Sequence, residues 1–156
     1  MDAGDLQAYL INTRNNITTK TTCSTLKLAW AIANGLADIH HKGCIHRDLK
    51  SQNVLLSAKY YIKLAGLGLT RAVDTTMTPK TGTLNWTAPE VLKDDGQGHY
   101  NFPADICSFG VVLTELYTLD TLHSSLHSSQ FLILNRVCDG SLHPILSDNC
   151  PSWYKS

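Results

Sequence analysis

A helix pattern, a charged turn and a hairpin pattern follow one another directly in the middle of this 156-residue chain. Apolar residues recur every three or four positions over Ala29–Ile39, which predicts a helix with one apolar face. Gly43 lies where such a helix would end. Two β-prone runs, Val54–Leu56 and Tyr60–Leu64, then predict a hairpin. The charged residues between Gly43 and the hairpin are therefore expected on a turn that two packed elements hold in place.

The remaining segments predict further helices joined by loops. We expect short helices over Asp5–Ile11 and Ser129–Cys138, and loops at 12–25, 65–84 and 121–129. Asp105–Thr118 is apolar on most sides, which predicts a buried helix. The apolar stripe expected on this helix consists of Ile106, Phe109, Gly110, Leu113, Leu116 and Tyr117. The predicted fold class is mainly α with a small β-hairpin.

Charge and cysteine usage exclude several classes of protein. Lys and Arg number 13, as do Asp and Glu, so a general electrostatic attraction to nucleic acid or to an anionic membrane is disfavoured. No apolar run approaches the roughly 18 residues of a membrane span. The five cysteines are scattered, with no C-x-x-C pair, which favours reduced thiols over a disulfide framework or a zinc site. We therefore expect a cytoplasmic protein without a membrane span or a nucleic-acid partner.

The charged turn contains the residue types that phosphoryl transfer requires. Its sequence is His46-Arg47-Asp48-Leu49-Lys50, and Asn53 follows after two intervening residues. A carboxylate such as Asp48 can orient an attacking hydroxyl and accept its proton. A cation such as Lys50 can steady the moving phosphoryl group, and an amide oxygen such as that of Asn53 can bind a magnesium ion.

This turn resembles the catalytic loop of eukaryotic protein kinases, and Lys50 two residues after Asp48 is the serine/threonine variant. More narrowly, the chain looks like a kinase of the tyrosine-kinase-like group. Other stretches agree in the expected order, resembling the helix after the hinge, the end of the activation segment and the buried central helix of the large lobe. They are Gly4-Asp5-Leu6-x-x-Tyr9-Leu10, Gly82-Thr83-x-x-Trp86-x-Ala88-Pro89-Glu90 and Asp105-Ile106-Cys107-Ser108-Phe109-Gly110-Val111-Val112-Leu113.

The resemblance implies a partial kinase domain over residues 1–156. It would be the C-terminal lobe from the hinge and αD-type helix to about the αG-type helix, truncated at both ends and without a small lobe. Its activity would be the transfer of the γ-phosphoryl group of ATP to Ser or Thr hydroxyls of a protein substrate, with Mg²⁺ as the metal.

The resemblance also implies roles for individual residues. Asp48 would be the catalytic base, Lys50 the γ-phosphate contact, Thr83 a bridge to both of them and Asn53 a magnesium ligand. In the nucleotide site, Asp5 would touch the ATP ribose and Leu55 would lie beneath the adenine.

Further residues would support or regulate the loop. Arg47 would pair with a phosphate on the activation segment, where the candidate sites are Thr75, Thr76, Thr78 and Thr81; such a pair is charge-assisted. His46 and Asp105 would be structural. Glu90 would be structural as well, and whether it is buried or solvated is open from sequence.

The pattern departs from the family just after the hairpin. Gly66 stands where kinases carry the Asp of an Asp-Phe-Gly triplet, so the principal metal ligand is missing. Leu67 replaces the Phe and is expected to remain an apolar plug. We therefore expect weak binding of ATP and Mg²⁺. Three hypotheses follow: a serine/threonine kinase that depends on a small lobe preceding Met1, a non-catalytic pseudokinase-type binding module, and a decayed or mis-predicted gene fragment.

Overall fold

The computed structural model describes residues 1–59, 61–73, 83–93, 100–120 and 130–141. Within these ranges the helices are α1 (Leu6–Arg14), α2 (Thr25–His41), α3 (Pro89–Lys93), α4 (Phe102–Thr118) and α5 (Gln130–Cys138). The strands are β1 (Cys44–Ile45), β2 (Val54–Leu56), β3 (Ile62–Leu64) and β4 (Arg71–Ala72). Single 3₁₀ turns lie at Ser51–Asn53, Leu67–Leu69 and Leu84–Trp86. The predicted fold class, mainly α with a small hairpin, is confirmed.

Side-chain caps determine where three of the helices begin. The Asp5 carboxylate accepts a hydrogen bond from the Ala8 backbone N–H at 2.9 Å at the start of α1. The Ser24 hydroxyl caps α2 in the same way. Asn101 caps α4, so this helix begins at Phe102, three residues before the predicted start at Asp105. Such caps satisfy N–H groups that have no partner within the helix.

Helix α2 forms the centre of the larger core cluster. Leu28, Ile32 and Leu36 recur at four-residue spacing and are at most 2% exposed, and the helix packs against β3 and α4. Gly35 permits this approach, because a Cβ there would lie 3.1 Å from Leu64 Cδ1. The predicted helix is confirmed, including its end before Gly43.

The apolar stripe predicted for α4 is correct only in part: Leu116 is buried, and Phe109 and Leu113 pack against the larger core cluster. Ile106 is 53% exposed and Gly110 is exposed as well. The buried face instead carries polar residues among the apolar ones: Ala104, Asp105, Ser108, Val111, Val112, Thr114, Glu115 and Leu116. Hydrogen bonds make their burial possible; the Ser108 hydroxyl, for example, donates to the Trp86 carbonyl at 2.6 Å. Apolar periodicity alone misplaces a face that is stabilised in this way.

Two antiparallel strand pairs flank the charged turn. Strands β2 and β3 form the predicted hairpin, with Val54 opposite Leu64. Strand β4 pairs with β1, so the loop predicted over 65–84 is wrong at Arg71–Ala72. Strands of two residues are too short to show an alternating pattern in sequence. The loop predicted over 121–129 lies outside the described residues.

The charged turn lies between the two hydrophobic core clusters. Ile45, just before the turn, packs with Ala88, Val91, Tyr100 and Ala104 in the smaller cluster. Leu49 and Val54 belong to the larger cluster. The turn is therefore anchored at its beginning, middle and end by buried apolar side chains.

None of the helices in the described ranges is long and apolar enough to cross a membrane.

Candidate active site

The Asp48 carboxylate is the centre of a compact polar network. Its Oδ1 accepts hydrogen bonds from Lys50 Nζ at 3.1 Å and from Thr83 Oγ1 at 3.0 Å. Its Oδ2 accepts from Asn53 Nδ2 at 2.8 Å and lies 3.0 Å from Lys50 Nζ. Lys50 Nζ also donates to Thr83 Oγ1 at 2.5 Å. The structure thus brings together the four residues that the sequence singles out for chemistry.

The Asp105 carboxylate anchors the backbone of the charged turn by hydrogen bonds. Its side chain is 2% exposed, and its two oxygens accept the backbone N–H groups of His46 at 2.8 Å and Arg47 at 2.9 Å. Arg47 has φ of 70°, a left-handed conformation that costs a non-glycine residue free energy unless its surroundings fix it. The two hydrogen bonds to Asp105 stabilise that conformation. His40 Nε2 lies 2.8 Å from the same carboxylate, a contact that the sequence does not predict.

His46 links the turn to the segment that leads into Gly66. The side chain is fully buried. Its Nδ1 accepts a hydrogen bond from the Asp48 N–H at 3.3 Å, so we assign the proton to Nε2, which lies 2.9 Å from the Ala65 carbonyl oxygen. The ring therefore packs and positions the backbone on both sides of the site.

Arg47 is directed towards the smaller core cluster. Its guanidinium carbon lies 4.6 Å from the centre of the Tyr100 ring, a cation–π distance. Burial lowers the pKa of Arg47 from its ordinary value, and the Tyr100 and Asp105 charges oppose that shift. The candidate phosphorylation sites Thr75, Thr76, Thr78 and Thr81 lie outside the described residues.

Asp5 and Leu55 are neighbours in the structure. An isolated antiparallel bridge pairs their backbones, and Leu56 N–H donates to the Gly4 carbonyl at 2.8 Å. Leu55 is half-buried on the hairpin, and Asp5 is half-buried at the start of α1. The two residues predicted for the nucleotide site therefore lie side by side along strand β2.

Leu67 and Glu90 are both exposed. Leu67 is 53% exposed, so the expectation of an apolar plug is wrong. It begins a 3₁₀ turn directly after Gly66 and belongs to neither core cluster. Glu90 is exposed on α3, so its carboxylate carries no cost of burial.

Gly66 and Asn53 are in very close contact. Gly66 has φ of 78°, and a Cβ built on it would lie 2.6 Å from Asn53 Cγ and 2.9 Å from Asn53 Oδ1. Besides its bond to the Asp48 carboxylate, Asn53 Nδ2 donates to the Asp48 backbone carbonyl at 2.6 Å. The Asn53 amide thus occupies the volume that a side chain at position 66 would need.

These residues do not fit the magnesium site that the resemblance implies. Mg²⁺ favours carboxylate oxygens and near-octahedral geometry. Gly66 supplies no side-chain ligand, so of the two positions that the resemblance implies only Asn53 can offer an oxygen, and one amide oxygen does not make a Mg²⁺ site. No group of three His, Cys, Asp or Glu residues that could hold a metal ion occurs in the described part of the chain.

Glu115 is a buried carboxylate that the sequence does not reveal. It is 1% exposed on α4, and its Oε2 accepts a hydrogen bond from Trp86 Nε1 at 3.0 Å. Burial raises the pKa of Glu115 to about 7, whereas the hydrogen bond from Trp86 lowers it. The only signal in the sequence is an acidic residue within a helix that is apolar on most sides.

Comparison with known proteins agrees with this geometry. A family model described as protein tyrosine and serine/threonine kinase matches residues 1–155. A probable serine/threonine-protein kinase of Dictyostelium discoideum is 41% identical over 132 residues, which cover 83% of this chain and 10% of that protein. A second from the same organism is 36% identical over 161 residues, covering 96% and 17% respectively.

A mitogen-activated protein kinase kinase kinase of Caenorhabditis elegans is 37% identical over 120 residues, covering 75% of this chain and 12% of that protein. The chain thus spans 17% or less of the length of these three relatives.

Proposed function

The chain belongs to the protein tyrosine and serine/threonine kinase family, and on that premise we propose that residues 1–156 form the large-lobe part of a serine/threonine kinase domain. In this proposal the part runs from the hinge to about the αG-type helix and belongs to the tyrosine-kinase-like group. The family uses ATP and Mg²⁺ to phosphorylate proteins. Asp48, Lys50 and Thr83 would act on the hydroxyl of a protein Ser or Thr.

The arrangement around Asp48 supports this assignment. Its side chain is 14% exposed, so a hydroxyl can reach it from solvent. An open pocket of about 220 Å³, including the solvent at its mouth, adjoins Asp48, Thr83 and Tyr100. A substrate hydroxyl there would donate its proton to Asp48, with Lys50 providing the nearby positive charge.

We further propose that phosphoryl transfer by this polypeptide is very slow or absent. The observation that carries this is the Asn53 amide in the place of a side chain at Gly66. Removing a single preorganised group that stabilises developing charge commonly costs about 10²–10³ in rate. Loss of a metal ligand also lowers the rate, because the metal stabilises the same developing charge. The proposal accordingly includes weak binding of ATP and Mg²⁺.

A non-catalytic, pseudokinase-type binding module is therefore the role that this chain can still fill. Its partner would be another protein. Cys23, Cys44, Cys107 and Cys138 are free thiols, which supports a cytoplasmic setting. The second candidate is an active serine/threonine kinase, which the intact network of Asp48, Lys50 and Thr83 favours.

Transfer of radiolabelled phosphate from ATP to a mixture of Ser- and Thr-containing peptides separates the two candidates. We expect the wild-type chain and Asp48→Asn to give the same background signal in the presence of Mg²⁺. Transfer by the wild type that Asp48→Asn abolishes would establish the active kinase instead.

A further inference from the structure

The contact between Asn53 and Gly66 differs from ordinary close packing because the Asn53 amide is fixed. Its Nδ2 donates both to the Asp48 backbone carbonyl at 2.6 Å and to the Asp48 carboxylate at 2.8 Å. A free side-chain end could rotate away from a new Cβ at little cost. This amide can do so only by giving up both hydrogen bonds to Asp48.

The backbone conformation of Gly66 does not by itself explain the contact. Gly140, at the end of α5, has φ of 79°, and a Cβ there would meet nothing within 4 Å. At Gly66, with φ of 78°, the Cβ would lie 2.6 Å from Asn53 Cγ. The two glycines share a left-handed conformation, which would strain any residue that replaces them, and of the two only Gly66 has an occupied volume beside it.

We propose that Gly66 and Asn53 form an interlocked pair, in which the Asn53 amide fills the side-chain volume of position 66 and holds the Asp48 carboxylate. Asn53 is then a positioning residue for Asp48. A carboxylate introduced at position 66 alone does not create a magnesium site, because it displaces the amide that fixes Asp48. This inference concerns the site of the proposed function and stands on its geometry, so it can hold or fail independently of turnover.

A double-mutant cycle on thermal unfolding tests the interlock. Gly66→Ala should lower Tm by about 5 °C more than the matched variant Gly140→Ala. The added methyl group overpacks the site, and the free-energy cost of overpacking lowers Tm by several degrees in a domain of this size. In an Asn53→Ala background the extra loss should disappear. Failure of Gly66→Ala to fold, with folding of both Gly140→Ala and the Asn53→Ala/Gly66→Ala double variant, also supports the proposal. Equal losses at Gly66 and Gly140 overturn it.

Nuclear magnetic resonance of the side-chain amides provides a readout specific to positioning. Gly66→Ala should shift the Asn53 amide signals, whereas Gly140→Ala should leave them in place. Addition of millimolar Mg²⁺ to the wild type or to Gly66→Asp should produce no saturable shift of these signals. A saturable, stoichiometric response of Gly66→Asp to Mg²⁺ would show that position 66 alone controls the metal site, and the interlock would be disproved.

Discussion

The indole Nε1 of Trp86 donates a hydrogen bond to the Glu115 carboxylate at 3.0 Å inside the protein core. The two residues are 5% and 1% exposed. The bond joins the 3₁₀ turn Leu84–Trp86 to the last turn of α4. Trp86 lies three residues after Thr83 of the Asp48 network. A titratable group therefore lies among apolar side chains behind the candidate active site.

Stability should fall as pH rises towards neutrality because of Glu115. The carboxyl ionises near its ordinary pKa of 4.5 in the unfolded chain but only at about 7 in the folded protein. The folded state therefore binds the proton more tightly between these values, and raising the pH through this window favours unfolding. The loss should reach up to about 3 kcal/mol. Urea unfolding across this pH range measures it.

Glu115→Gln isolates this contribution from other titrating groups. The amide oxygen can still accept from Trp86 and carries no charge at any pH, so the variant should exceed the wild type in stability above pH 7. A variant with the same pH slope as the wild type would show that Glu115 does not titrate in this window.

Asp105→Ala should destabilise the protein by about 2–5 kcal/mol, because the buried N–H groups of His46 and Arg47 lose their acceptors. Asp105→Asn keeps one carbonyl oxygen, so its destabilisation should be smaller than that of Asp105→Ala. Asn101→Ala at the start of the same helix removes only a cap, with an expected cost of about 1 kcal/mol. Urea unfolding compares the three variants. A cost for Asp105→Ala no larger than that for Asn101→Ala would refute the anchoring role.

Thr83→Val should reduce the free energy of unfolding by about 1 kcal/mol, because it removes the hydroxyl that bonds to Asp48 and Lys50 with little change in volume. Thr83→Ser retains the hydroxyl and serves as the control in the same denaturation experiment. A valine variant as stable as the wild type would show that these hydrogen bonds add no net stability.

Leu26 and Trp30 form an exposed apolar patch on α2. They lie four residues apart and are 72% and 67% exposed. Replacing both with Gln should change the free energy of unfolding by less than about 0.5 kcal/mol per site and reduce aggregation measured by light scattering. Leu28→Ala, two residues from Leu26 and buried, should cost about 2–5 kcal/mol. A large loss in the Gln variants would mean that this face is covered.

Helix α2 was predictable because its apolar residues repeat with the period of the helix and Gly43 marks its end. Strands β1 and β4 were not, since each has two residues and β4 is exposed on both faces. The buried face of α4 was predictable only in part, because hydrogen bonds, and not apolarity, stabilise Asp105, Ser108 and Glu115 in the interior.

The residue types of the site could be read from the charged turn, but their geometry could not. The resemblance implies a metal ligand at Asn53. The structure places its amide against Asp48 and Gly66, a position that depends on the backbone conformation just after the second hairpin strand. Nothing in the local sequence of either residue reports this contact.

The interlock of Gly66 and Asn53 bears on how this lineage can evolve. Codons for glycine and aspartate can differ by a single base, so the substitution itself is readily available. Because the Asn53 amide fills the side-chain volume of position 66, a change of Gly66 to Asp would displace the amide and disturb Asp48 before any metal site could form. A carboxylate ligand at position 66 would therefore require two coordinated changes rather than one.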